Sequence, residues 1–107
     1  MAKYMSKVRY NAEGARALIK EGGSARVDAV KKAVKALGGK IESFYFAYGG
    51  DDAFVIVDMP DQHAGLALSL AVNATGTVSL EMVHLITPAE MDAAAEVTVK
   101  YRGPGQQ

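Results

Sequence analysis

Between Lys3 and Tyr10 polar and apolar side chains alternate, with Tyr4, Ser6, Val8 and Tyr10 on one side and Lys3, Met5, Lys7 and Arg9 on the other. This two-residue period predicts a strand with one face more polar than the other. From Asn11 to Glu21 the period lengthens: Ala15, Leu18 and Ile19 share a side, and Gly22-Gly23 ends a short helix. A clearer helix follows, with Ser24 as its expected cap. Val27, Val30, Val34 and Leu37 form its stripe and Lys31, Lys32 and Lys35 its wet side, until Gly38-Gly39 stops it.

Residues 40 to 48 are rich in β-branched and aromatic side chains, and residues 53 to 59 are almost continuously apolar. Gly49-Gly50-Asp51-Asp52 between them supplies turn chemistry, so the pair predicts a hairpin. Pro60 and Asp61 suit the first turn of a third helix over 61 to 75, and Gly76 suits its exit. Alternation returns from Thr77 to Ile86 as a fourth strand. Thr87-Pro88-Ala89-Glu90 then gives a capping box with proline at the first helical position, opening a last helix to about Val97. Residues 98 to 107 show no period and too little apolar surface to pack, which predicts a flexible tail.

Setting aside the short first helix and the last one leaves the order β-α-β-β-α-β, an α+β, ferredoxin-like arrangement with both major helices on one sheet face. The other face is then bare. Both sides of the central hairpin are apolar: Phe44, Phe46 and Tyr48 against Ile41, Tyr45 and Ala47, and Phe54 and Ile56 against Val55 and Val57. An apolar sheet face of that size is covered most simply by a second copy, which makes a homodimer or higher oligomer the expected state. Leu66, Leu68, Leu70 and Val72 spread around the third helix and hint at burial beyond one contact.

Composition narrows the class. A chain of 107 residues makes one domain, 1 to 107, able to bury roughly 65% of its unfolded surface. Lysine plus arginine and aspartate plus glutamate balance at twelve each, so the field that would hold a nucleic-acid backbone is missing. There is no cysteine, hence no disulfide framework, no thiolate nucleophile and none of the commonest zinc ligands. The opening residues alternate instead of forming a basic patch and an apolar run, which predicts a cytoplasmic protein with no membrane partner. Asn73-Ala74-Thr75 matches a glycosylation acceptor but falls inside the third helix, and is set aside.

Several segments carry a resemblance: Ala2-Lys3-Tyr4, the Glu21-Gly22-Gly23-Ser24 turn with Arg26, and Phe44-Tyr45-Phe46-Ala47-Tyr48-Gly49 through Asp52 into Val55-Ile56-Val57. Together they resemble the GYD-domain family of small bacterial proteins over nearly the whole chain, the aromatic run being the most specific part. The resemblance implies a ferredoxin-like dimeric α/β barrel and no established activity. The namesake Gly, Tyr and Asp would fall on Gly49, Asp51 and Asp52 with Gly50 as a spacer. Asp51 thus replaces the aromatic residue, and the ring is lost from that position.

Candidate chemistry gathers in four places. Gly23, Ser24 and Arg26 combine close backbone approach, a helix N-terminus and a guanidinium fork, a set that would hold an anion; a glycine stop followed by a serine cap explains the same residues more simply. Asp51 and Asp52 are turn formers before they are ligands, since a magnesium or calcium site needs more oxygens than two; Asp52 is also kept as a binding residue on the resemblance. His84 points toward the helices if Glu81 shares the face of Lys7 and Arg9. There it is either a hydrogen-bonded core residue or part of a cavity with Tyr4, Ser6, Tyr10 or Tyr45. Tyr45 and Tyr48 flank a hairpin able to stack a flat ligand, although packing explains them as well. Lys7 and Arg9 suggest salt bridges to Glu42 or Glu81 across a dimer seam.

The expectation is a module without cofactor or metal that binds a small anionic or aromatic metabolite, or a protein, in a pocket roofed by its helices. The alternative is a cofactor-independent isomerase or oxygenase using His84 with Tyr45 and Arg26, which rests on analogy between folds alone.

Overall fold

The computed structural model describes all 107 residues. The chain runs β1 (Ala2–Tyr10), α1 (Ala12–Glu21), α2 (Gly23–Ala36), β2 (Lys40–Phe46), β3 (Ala53–Met59), α3 (Gln62–Ala74), β4 (Val78–Leu85) and α4 (Pro88–Ala95). The four strands form one antiparallel sheet in the order β2-β3-β1-β4, so each crossover through helices skips a strand. This is an α+β domain, and no helix is long and apolar enough to cross a membrane.

Register decides what each face carries. β1 pairs with β3 as Tyr4 to Val57 and Ser6 to Val55, and with β4 as Tyr4 to His84 and Val8 to Leu80. Paired residues share a side, so the helices α2 and α3 cover Val8, Val55, Val57 and Met59 with their own Val34 and Leu68. Lys3, Met5, Lys7, Phe54, Ile56, Asp58, Glu81 and Val83 point the other way, and no helix lies over them.

In β2 strict alternation fails. The register jumps between Ile41, opposite Val57, and Ser43, opposite Ile56, so Glu42 is the extra residue of a β-bulge. The bulge inverts parity, placing Ile41 with Phe44 and Phe46 on the helix side and Tyr45 on the other. The expected grouping of Ile41 with Tyr45 is therefore wrong, because alternation holds only while the ladder is unbroken.

The expected serine cap is also absent. Gly22 alone joins α1 to α2, with φ at 91°, and serves as the terminal residue of both. Ser24 is consequently the second residue inside α2, and no side chain caps this helix. The other three helix starts are capped by side chains: Asn11 for α1, Asp61 for α3, and the Thr87–Glu90 box for α4.

Only 11 of 107 residues are buried, and the radius of gyration is 17.3 Å, against about 13 Å for a compact domain of this length. Residues 86 to 102 are all exposed.

Candidate functional site

The tight α1–α2 connection sets the chain against β2. A side chain on Gly23 would put its Cβ 3.1 Å from the Phe46 ring, so a larger residue there would push the ring or the helix back by a few tenths of an ångström. Phe46 packs in turn on Phe44, ring centres 5.1 Å apart. Two open recesses share Phe46 as a wall. One, of about 320 Å³, is lined by Tyr10, Leu18, Ile19, Phe46 and Asp52; the other, of about 410 Å³, by Gly23, Ser24, Val27, Asp28 and Phe46.

Arg26 stands one turn into α2, its backbone N–H donating to the Gly22 carbonyl at 3.2 Å. Its Nε is buried without a hydrogen-bond partner, since the Glu21 carboxylate stops 3.7 Å away, while the side chain as a whole is 35% exposed. A buried N–H with no acceptor is unfavourable, and an incoming acceptor or a small movement of Glu21 would relieve it. Burial pushes the Tyr10 phenol above its ordinary value; the Arg26 charge opposes the shift and the charges of Glu21 and Asp52 add to it. The charges of Glu21, Arg26 and Asp52 thus all act on the Tyr10 phenol.

Asp52 is engaged on three sides. Its carboxylate accepts from the Tyr10 backbone N–H at 2.8 Å, its own N–H donates to the Val8 carbonyl at 2.7 Å, and its carbonyl accepts from Ala47 at 2.8 Å. These bonds lock the hairpin turn onto β1. Asp51 receives Arg9 Nε at 3.1 Å and lies 3.9 Å from Lys7 Nζ. Tyr48 lies just past β2 and is fully exposed, so no stacking platform forms around it.

His84 lies on the helix side of the sheet, but at the end of β4, and it is exposed. Its ring meets Tyr4 with centres 5.1 Å apart, and its nitrogens make no hydrogen bond within the chain. Its exposure rules out the core reading. Tyr45, opposite Phe54, is on the other face, so one chain does not bring Tyr45 and His84 together. Ser6 does lie under the helices, in an almost wholly apolar gap of about 50 Å³.

Lys7 and Arg9 find their partners inside the chain. Lys3 bridges Glu42 and Asp58, Lys7 lies 3.9 Å from both Asp51 and Glu81, and Arg9 holds Asp51. The expected bridges across a seam are thus closed locally.

Two asparagines matter more than their sequence context suggests. Asn73 accepts from the Leu80 N–H at 2.8 Å and donates to the Leu80 carbonyl at 3.1 Å, pinning α3 to the edge strand β4. Asn11 accepts from the Gly14 N–H at 2.9 Å and donates to the Gly76 carbonyl at 2.6 Å, tying α1 to the loop before β4. Only the cap role of Asn11 has a sequence signal, through its place before a helical period.

The turn, the glycine junction and the aromatic strand occupy the framework of a known small domain: the family model described as GYD domain matches residues 4–95. The chain belongs to the GYD-domain family. Its GYD domain spans β1 through α4, leaving residues 96 to 107 outside the match. No curated protein and no solved structure matches the chain. Within this GYD domain Asp51 and Asp52 tie the hairpin turn to β1, and Arg26 Nε is a buried side-chain atom left without a hydrogen-bond partner.

Proposed function

We propose that this GYD domain is a homo-oligomeric, ferredoxin-like module of the dimeric α/β barrel type that binds a small, flat aromatic acid at the α1–α2 junction. The observation that carries the reading is the buried, unpartnered Arg26 Nε at the α1–α2 junction, whose charge acts on the phenol of Tyr10, a residue lining one of the recesses walled by Phe46. Flat rings suit that wall, and a single acidic group would take the guanidinium. Asp28 and Asp52 line the same recesses and disfavour a multiply charged anion such as phosphate. The skipped-strand order supports the ferredoxin-like reading, and the outward Phe54, Ile56 and Val83 support pairing through the bare sheet face.

Native mass spectrometry of the protein purified from its own host tests both halves together. A retained small molecule, lost in Arg26→Ala, with a mass of at least two subunits is expected; a ligand-free single subunit overturns the reading. Ile56→Lys would separate the subunits if the bare face joins them.

A further inference from the structure

β4 is an edge strand, joined to β1 on one side and open on the other. An open edge is a row of backbone donors and acceptors on which a further strand can build, and folded proteins close such rows with bulges, charges or a covering element. The opposite edge, β2, is interrupted by the bulge at Glu42. β4 has no bulge, since its register against β1 is unbroken from Val78 to Leu85. Its eight residues are long enough to template another strand of ordinary length.

In an antiparallel pair, opposed residues alternate between those that exchange both backbone hydrogen bonds and those whose N–H and C=O turn away. Leu80, opposite Val8, is of the second kind: its N–H donates to Asn73 Oδ1 at 2.8 Å, and its C=O accepts from Asn73 Nδ2 at 3.1 Å. A neighbouring strand would make the same two bonds, so one carboxamide from α3 stands where that strand would lie. Only asparagine and glutamine carry a donor and an acceptor side by side on one planar group. Nδ2 also donates to the Ser69 carbonyl at 2.8 Å, one turn back in α3, which fixes the direction of the side chain. By the same alternation Val78, Met82 and His84 turn their backbone groups outward. Asn73 therefore divides the outward row in mid-strand, with Val78 on one side and Met82 and His84 on the other. The amide of the Asn73-Ala74-Thr75 motif is thus engaged by the fold.

We infer that Asn73 is an edge guard: it latches the last turn of α3 onto the outer edge of β4 and keeps a strand of another copy of this chain from adding there. Two bonds at mid-strand break the continuous ladder that strand addition needs. The guard acts at the edge of the sheet, apart from the Arg26 recess and from the outward sheet face.

Amide hydrogen exchange in the unaltered chain is the first test. The Leu80 N–H is expected to exchange at least tenfold more slowly than those of Met82 and His84, which face outward without Asn73 as acceptor. Equal rates, or Met82 and His84 as slow as Leu80 because a strand already covers the edge, overturn the inference. In Asn73→Ala at high dilution, the Leu80 amide is expected to exchange at least tenfold faster than in the parent chain. As its concentration rises, this variant is expected to associate beyond the parent's state in sedimentation, with protection returning together at Leu80, Met82 and His84. An Asn73→Ala chain that keeps the parent's state, or one that associates with those three amides still unprotected, overturns the guard. Met59→Ala, which loosens the core and leaves Asn73 in place, is the control. Equal association there would trace the sticking to lost stability and likewise overturn it.

Discussion

On the helix side of the sheet, Val8, Val55, Val57 and Met59 are at most 8% exposed; one step along the same strands, Lys7, Phe54, Ile56 and Asp58 face outward and keep partial contact with water. Five of the six ion pairs belong to that outward face, where Lys3, Lys7 and Arg9 meet acids from β2, β3, β4 and the hairpin turn. Exposed pairs of this kind contribute roughly 0 to 1 kcal/mol each, whereas a fully buried aliphatic side chain contributes about 1.5 to 3. The stability of one chain therefore resides on the helix side. The outward face carries its ion pairs beside apolar residues that no helix covers.

The sharpest challenge to that contrast is a pair of truncations on β3. Met59→Ala, at a fully buried position, is expected to cost about 2 to 5 kcal/mol in urea unfolding. Ile56→Ala, facing outward, is expected to cost well under half as much when measured at dilutions where subunits are apart. Equal losses would erase the distinction between the faces.

Next in size is Asp52→Ala. The Tyr10 N–H would lose its acceptor at a part-buried site, a loss of about 1 to 3 kcal/mol, with faster amide exchange at Tyr10. Asp51→Ala removes a carboxylate 15% exposed whose partners Lys7 and Arg9 are 32% and 64% exposed, and is expected to cost about 1 kcal/mol. The two neighbours thus repeat, within a single turn, the difference between the faces.

The smallest effect concerns α4. A hydrogen bond from the Thr87 backbone N–H, helped by the Thr87 hydroxyl, holds the Glu90 carboxyl below the ordinary carboxylate range. With its folded pKa depressed, Glu90 supports the helix start above the ordinary carboxylate pKa, and that support fades as pH falls through the folded value. The α4 amides are expected to exchange faster on acidification, and Glu90→Gln is expected to flatten this dependence. If the amides instead stay protected down to low pH, the capping box is not what holds α4.

Regular elements were legible because they depend on neighbours in sequence: all four strands, the capping box of α4 and the glycine stops lie within two residues of where periodicity puts them. The departures each have a distant cause. The β2 bulge follows from how Glu42 and Ser43 meet β3, and it moved Tyr45 away from His84. The loss of the Ser24 cap follows from a one-residue connection that starts α2 at Gly23, close against Phe46. His84 is exposed although it shares the helix side of the sheet with buried Val57, which no spacing within β4 reveals.

The candidate site was half legible. Gly23, Ser24 and Arg26 stood out as a helix start with a cation in its first turn, and the structure adds Tyr10, Glu21 and Phe46 to them. Glu21 reaches Arg26 from the adjoining end of α1, whereas Tyr10 and Phe46 come from strands distant in sequence. Asp52 was selected for the right position but serves the turn.

Side-chain period, turn residues and caps are local, so the order of residues alone determined the α+β plan, the apolar content of both hairpin faces and the family. Which polar groups end up paired is a matter of distances between elements far apart in sequence. Only the packed chain could therefore decide that Lys7 is already neutralised, that Arg26 is left without an acceptor, and that residues 86 to 102 lie uncovered beyond the sheet's edge.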